Sequence, residues 1–378
     1  MGFLRGILTG VLGLAFLAAA GNAAYLSLTD RSGSAASAAA GNTTWPAALG
    51  GLFASATDKA TPPTAPAPSG PSAARIAEIE GTWRDWMTAN GIAEGAMALA
   101  LPDGRVIGAG LERDPAAPVP VASLSKAITG LCLDGLLAER GLPWNSTLRD
   151  IAAEMSAAGV TPRPWNEAIT LSGLVTHTAG LEPDLTQGDM VARTHGALGL
   201  HRRIASEALA ETALRGQPGR SFYSNTNYAV LGVAVEALSG RSYAETCMER
   251  VIRPAGVTGA VIEGRMGSMS SYAGWEISAE DYARLARHWF TAGQPHVDAP
   301  GTRPAAGSYA MGYSIEGAGR RATVTHNGRL CFDRAAREGH GASFVALGEG
   351  TAFAATWGNC IDRSLYDDLI EAITPLLR

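Results

Sequence analysis

Val121-Ala122-Ser123-Leu124-Ser125-Lys126-Ala127-Ile128 opens an apolar, helix-patterned stretch over residues 125–139 and sets a serine three positions before a lysine. On a helix that spacing puts both side chains on one face, so a hydroxyl at the helix start meets an amine one turn later. A serine hydroxyl is a poor nucleophile unless a base sits beside it. A desolvated lysine with a depressed pKa is such a base, or holds one in place. Ser-x-x-Lys is a weak signal alone, but composition sharpens it: among 30 basic residues the only lysines are Lys59 and Lys126. The folded part therefore keeps one amine at a position where arginine, which does not deprotonate, cannot serve.

On either side of this segment the pattern changes character. Upstream, apolar residues at Ile76, Ile79, Trp83 and Trp86 recur at helical spacing over residues 74–89. Two strand-like runs follow, 96–101 and 105–110, joined by the turn Pro102-Asp103-Gly104. From residue 123 to about 302 the chain reads as mostly helical, including residues 228–238. Strand patterns return at 309–315, 321–326, 341–347 and 351–357, and an apolar helical face at 363–377 closes the chain. The expected fold is α+β: an antiparallel sheet built from both chain ends, flanked by the N- and C-terminal helices, with a mostly helical insertion. The sheet part is placed at residues 73–119 and 306–378, and the helical part at 120–305.

The first 72 residues differ from the rest. Residues 7–28 carry no charge, with Arg5 before them and Asp30 after, long enough to cross a bilayer. Two readings stand, a retained membrane anchor and a signal peptide cleaved among the small residues at 18–24. Both leave Arg5 on the cytoplasmic side and place the remainder outside the cytoplasm, on the periplasmic side. Residues 31–72, rich in Ala, Ser and Pro, read as an extended tether. A net charge of −5 with 17% charged residues offers no basic surface for nucleic acid.

Two further constellations carry chemistry. Tyr223-Ser224-Asn225 stands in a loop before an apolar helix, where a tyrosine beside a lysine cation would have a lowered pKa and exchange protons with Ser123. Thr325-His326-Asn327-Gly328 closes an expected strand. Its glycine permits close approach of a substrate backbone, and the amide of Arg329 joins that of Ser123 as a candidate oxyanion hole. The remaining histidines, His195, His201, His288, His296 and His340, show no paired metal-ligand spacing, His177 reads as structural, and Trp165, Trp275 and Trp357 read as core or cleft walls. Neither Gly-x-Ser-x-Gly nor a nucleotide-binding glycine motif occurs, so neither an α/β-hydrolase nor a cofactor is expected. Of the four cysteines, Cys331 and Cys360 are a candidate disulfide, each following an expected strand. Cys132 and Cys247, inside apolar helical patterns, read as buried free thiols.

Taken in order, these elements resemble the serine β-lactamase and penicillin-binding superfamily, in particular the class C-like branch that includes esterases and D-amino-acid peptidases. The resemblance runs from about residue 74 to the C-terminus. It is strengthened by Thr170-Leu171-Ser172-Gly173-Leu174-Val175-Thr176-His177-Thr178-Ala179-Gly180-Leu181, and by Trp275-Glu276-Ile277-Ser278-Ala279-Glu280-Asp281-Tyr282-Ala283, where Ser278 and Asp281 suggest a capping box. It implies Ser123 as acylated nucleophile, Lys126 and Tyr223 as the proton-handling pair, Asn225 as partner of a substrate amide or of the lysine, and His326 to Gly328 beside the cleft. The His-Asn-Gly motif departs from the family's Lys-Thr-Gly and removes a permanent cation, although His326 supplies one when protonated. The span between the second and third motifs, about a hundred residues, is short for a class C enzyme and implies a trimmed or more open site. Glu182-Pro183-Asp184-Leu185 precedes the Tyr-Ser-Asn element, the wrong order for a class A deacylation base. The expected activity is cleavage, through an acyl-enzyme, of a small ester, a D-amino-acid amide or peptide, or a β-lactam. The alternative is an inactive module that binds cell-wall peptides or a protein partner.

Overall fold

A computed structural model describes residues 70–187, 199–210 and 215–378. The expected anchor or signal segment and almost all of the tether lie outside these residues. Among the described residues no helix is long and apolar enough to cross a membrane.

Helix α1 (Ala73–Ala89) starts where the Ser72 hydroxyl accepts the Arg75 amide, and buries Ile79, Trp83, Trp86 and Met87. Strands β1 (Gly95–Ala100) and β2 (Val106–Leu111) form the expected hairpin. A short ladder of β3 (Val119–Pro120) with β4 (Glu276–Ile277) holds the chain just before the nucleophile segment. Then come helices α2 (Ser125–Arg140), α3 (Asn225–Ser239) and α4 (Ala279–Trp289). The chain ends in β5 (Ser314–Glu316), β6 (Thr323–Asp333), β7 (Glu338–Leu347), β8 (Ala352–Trp357) and helix α5 (Ser364–Ile373). The sheet runs β2-β1-β8-β7-β6-β5, antiparallel throughout, so the two chain ends meet at the β1·β8 pairing as expected.

Alternation along these strands sorts the core into two layers. Met97, Leu99, Phe353 and Trp357 face the bulky side chains of α1 and α5. Ala96, Ala98, Ala100, Ala352 and Ala354 face the other way, and this row of methyl groups lets α4 pack closely through Ala279, Ala283 and Ala286.

Four local expectations are corrected. Strand β6 extends to Asp333, so His326-Asn327-Gly328 lies within a strand and not at its end. Asn-Gly reads as a turn, but continuous pairing with β7, including Asn327 opposite Ser343 and Gly328 opposite Ala342, overrides that preference. Strand β5 is confined to three residues because Tyr309 makes only isolated bridges. At α4, Ser278 accepts the Asp281 amide at 3.0 Å, but the shorter Asp281 carboxylate turns to the Gly259 amide and Arg284, leaving the reciprocal arm of the capping box unmade.

The fourth correction concerns cysteine. Cys331 and Cys360 form a disulfide, and so do Cys132 of α2 and Cys247 at the end of the turn Tyr243–Cys247. One turn earlier Thr129 and Tyr243 share a hydroxyl hydrogen bond of 2.8 Å, so the next turn of each helix brings the cysteine Cα atoms to 5.4 Å. Periodicity within one helix cannot report such a meeting. Because this bridge closes the longer loop, 115 residues against 29, Cys132→Ala with Cys247→Ala is expected to cost about 2–5 kcal/mol in urea unfolding, more than removing the other pair. Equal losses from the two pairs would contradict this.

Candidate active site

Three segments meet at Ser123. The first is the short 3-10 turn Ala122–Leu124 that leads into α2. Ala122 is held at φ 49°, a left-handed conformation that aims the next side chain into the cleft and is unfavourable for a residue with a Cβ. Neighbours hold it there: the Val121 amide donates to the Trp275 carbonyl at 3.1 Å, and the Trp275 amide donates to the Ser125 hydroxyl at 3.2 Å. The Trp-Glu-Ile-Ser segment thus clamps the turn that carries the nucleophile.

Lys126 is fully buried. Its Nζ lies 2.9 Å from Ser123 Oγ, 2.6 Å from Asn225 Oδ1 and 2.9 Å from the Tyr272 carbonyl oxygen. Burial lowers its pKa to about 7, against the opposing attraction of Asp184. Once neutral, the amine has two N–H groups and one lone pair. Two of its partners are carbonyl oxygens that only accept, so they retain the N–H groups. The lone pair is left facing Ser123, the one partner with a proton to give.

The second segment is the Tyr-Ser-Asn loop. The Ser224 hydroxyl caps α3 by accepting the Thr226 amide. Asn225 is a lysine partner, with Oδ1 on Lys126 and Nδ2 donating to Thr186 Oγ1 at 2.9 Å. Tyr223 lines the cleft with Ser123, but its pKa is raised to about 12 and not lowered as expected. Although 39% of the residue is exposed, its hydroxyl is stripped of water, and Lys126 lies 5.1 Å above the ring face instead of beside the oxygen. The phenol therefore stays protonated and is a donor.

His177 steadies this loop. Its Nδ1 accepts the Ser224 amide at 3.2 Å and lies 3.1 Å from Asn227 Nδ2, which places the ring proton on Nε2, toward the Tyr309 hydroxyl at 3.2 Å. The role is structural, but the ring bonds a loop 47 residues away and not its own. Trp275 and Trp357 lie in the core, and Trp165 is partly buried.

The third segment is β6. Gly328 packs so closely on the nucleophile turn that a Cβ there would stand 2.2 Å from the Val121 carbonyl oxygen and 3.2 Å from the Ser123 amide nitrogen. His326 lines the cleft as a neutral imidazole, because burial and the nearby Lys126 and Arg363 charges lower its pKa to about 3. It therefore does not replace the missing lysine of the third motif. Asn327 donates to Asp367 at 3.0 Å and accepts from Ser343, while the Arg329 guanidinium donates to the Ile361 carbonyl.

These segments border a cleft of about 620 Å³. Asn327, Arg329, Leu330, Cys331 and Phe332 all line it. Side chains of both parities on one strand do this only if the cleft runs along the strand's edge. That edge is open: β5 pairs with residues 323–325 alone, and no other strand among the described residues pairs with 326–333 on that side. Arg334 and Arg363 stand at the cleft with no ion pair among the described residues. Sequence reading missed Arg363, Thr186, Tyr309 and the Tyr272 carbonyl. Thr186 follows the Glu182-to-Leu185 segment and Tyr272 precedes the Trp275 segment, but neither is part of a recognisable pattern, and a backbone carbonyl has no residue signature.

The chain is similar to proteins already known. The family model Beta-lactamase matches residues 83–349. Protein flp of Staphylococcus aureus (strain N315) is 28% identical over 149 residues, 39% of this chain and 28% of its own, so the match spans under a third of that relative. A beta-lactamase/D-alanine carboxypeptidase from Yersinia pestis superposes with TM-score 0.62 at 14% identity, over 81% of this chain and all of that one. A D-amino acid amidase from Ochrobactrum anthropi superposes with TM-score 0.60 at 13% identity, over 79% and 98%.

Proposed function

The chain belongs to the Beta-lactamase family, and we propose that it is a serine hydrolase that forms an acyl-enzyme on Ser123 and cleaves short, extended peptide-like substrates ending in a carboxylate. The observation that carries this reading is the Lys126 environment: two carbonyl acceptors and Ser123 around one buried amine with a pKa near neutrality. Lys126 takes the Ser123 proton as Oγ bonds to the substrate carbonyl carbon. The amides of Ser123 and Arg329 receive the developing oxyanion. The proton held by Lys126 returns to the departing amine or alkoxide, which Tyr223, staying protonated, meets as a hydrogen-bond donor, and water then hydrolyses the ester with Lys126 again as base.

The open edge of β6 supports an extended substrate, since its unpaired backbone groups can pair with those of a peptide. The guanidinium of Arg363, which has no ion pair among the described residues, supports a carboxylate, the partner its fork fits best. The carboxypeptidase and amidase names of similar folds favour D-amino-acid amides and peptides over simple esters. Two disulfides and the apolar N-terminal segment support a site outside the cytoplasm, tethered or secreted, where cell-wall peptides are at hand.

The test uses the intact protein with a fluorophosphonate probe. A single mass adduct, lost in Ser123→Ala, is expected, whereas no adduct on folded protein would favour a binding module. With D-alanyl peptides as substrates, Arg363→Ala is expected to raise KM about tenfold or more for a free-acid peptide and to leave its C-terminal amide nearly unchanged. Equal effects on both would remove Arg363 from substrate recognition.

A further inference from the structure

The amide of Asn225 presents either an oxygen or a nitrogen to Lys126, and its shape does not decide which. The decision lies one residue further out. Asp184 is buried, and its carboxylate only accepts. Oδ1 takes the Thr186 hydroxyl at 2.8 Å and the Thr186 backbone N–H at 3.0 Å, and Oδ2 takes the Asn225 backbone N–H at 3.0 Å. With its proton committed to Asp184, the Thr186 oxygen has only lone pairs to offer Asn225. The Asn225 side chain must then turn Nδ2 toward Thr186 and Oδ1 toward Lys126, the arrangement present.

The reverse orientation would be costly to the chemistry. Nδ2 would face the amine, repelling its ammonium form and occupying the lone pair of its neutral form, the lone pair Ser123 needs. We propose that Asp184 is a positioning residue which, acting through Thr186, fixes the orientation of Asn225 and so keeps the Lys126 lone pair available to Ser123. This rests on the reading of Lys126 as the base. It gives the Glu182-to-Leu185 segment a role unlike the deacylation base weighed from its sequence.

Charge and geometry are separable here. Around Lys126, Tyr223 and Tyr228 present ring faces and stay protonated, while His177 and His326 are held neutral by burial. Asp184 is the carboxylate whose attraction acts on the ammonium. Removing its charge makes the ammonium less favourable, so the midpoint at which the base becomes active moves to lower pH. Thr186→Val breaks the chain of hydrogen bonds and leaves that charge in place.

The experiment measures phosphonylation of Ser123 by a fluorophosphonate, with loss of fluoride, against pH. Thr186→Val is expected to react about tenfold or more slowly with its midpoint unmoved, and Thr186→Ser to recover most of the rate. Asp184→Asn is expected to react more slowly and to shift the midpoint down by about half a unit or more. Parental rates in Thr186→Val would overturn the proposal, as would a folded Asp184→Asn that reacts at the parental rate. Should Asp184→Asn not fold, the Thr186 pair decides alone. A parent whose Ser123 never reacts would instead overturn the hydrolase reading, and this proposal with it.

Discussion

Lys126→Met is expected to lower acylation of Ser123 by about 10³-fold or more, the loss that follows removal of a general base from an otherwise assembled site. The same substitution carries a stability signature that activity alone does not give. Lys126 has a pKa of about 7 in the folded chain against 10.5 ordinarily. Between those values the unfolded chain holds the proton and the native chain does not, so native stability rises with pH across the window, by up to about 5 kcal/mol. Below it both states are protonated, and the burden of a buried ammonium is borne in full. The methionine variant has no such group. Parent minus variant unfolding free energy, from urea melts at about pH 6.5 and about pH 9.5, should therefore rise. This holds whatever fixed cost the lost hydrogen bonds impose. A flat difference would mean that the amine is not desolvated, and the argument for a neutral base would fail with it.

Gly328→Ala is expected to produce the second large effect. The added Cβ would meet the Val121 carbonyl at 2.2 Å and the Ser123 amide at 3.2 Å, both of them backbone atoms of the turn that aims the nucleophile. That turn cannot yield freely, because the β3·β4 ladder and Trp275 hold it from the other side. Strand β6 must retreat instead, at about 1–3 kcal/mol in stability. A retreat of about 1 Å between nucleophile and oxyanion donors is enough for about a 10²-fold loss in rate. Acylation at the parental rate by Gly328→Ala would show that the Arg329 side of the cleft takes no part in the reaction.

The contrast between these two residues marks what the sequence alone made legible. Lys126 stood out because the folded sequence uses arginine everywhere else, so one amine beside a serine was a chemical choice visible in composition. The two-ended sheet was equally visible, in the strand-like runs 96–101 and 105–110 near one end of the chain and 341–347 and 351–357 near the other. Gly328 was readable only in part. Its small size suggested close approach, but toward a substrate, whereas the approach is to the chain's own nucleophile turn. The strand was expected to close at Asn327-Gly328, but pairing with β7 carries it on past Cys331. The Tyr223 pKa was misjudged in sign because proximity to a cation was weighed and loss of water was not. Which side of the ring faced Lys126 depended on packing. Cys132 and Cys247 found each other through a helix contact that neither helix encodes alone.

The open side of β6 has a further consequence. Unpaired strand edges invite the strands of other molecules and are a common route to aggregation. This one runs along the cleft, and the charged groups of Arg334, Arg363 and Asp367 stand beside it. A second folded copy would have to desolvate those charges before its own strand could pair. A short peptide with its own carboxylate would satisfy Arg363 as it entered. The edge is thus selective by size and charge, admitting a substrate's backbone while discouraging that of a neighbouring molecule.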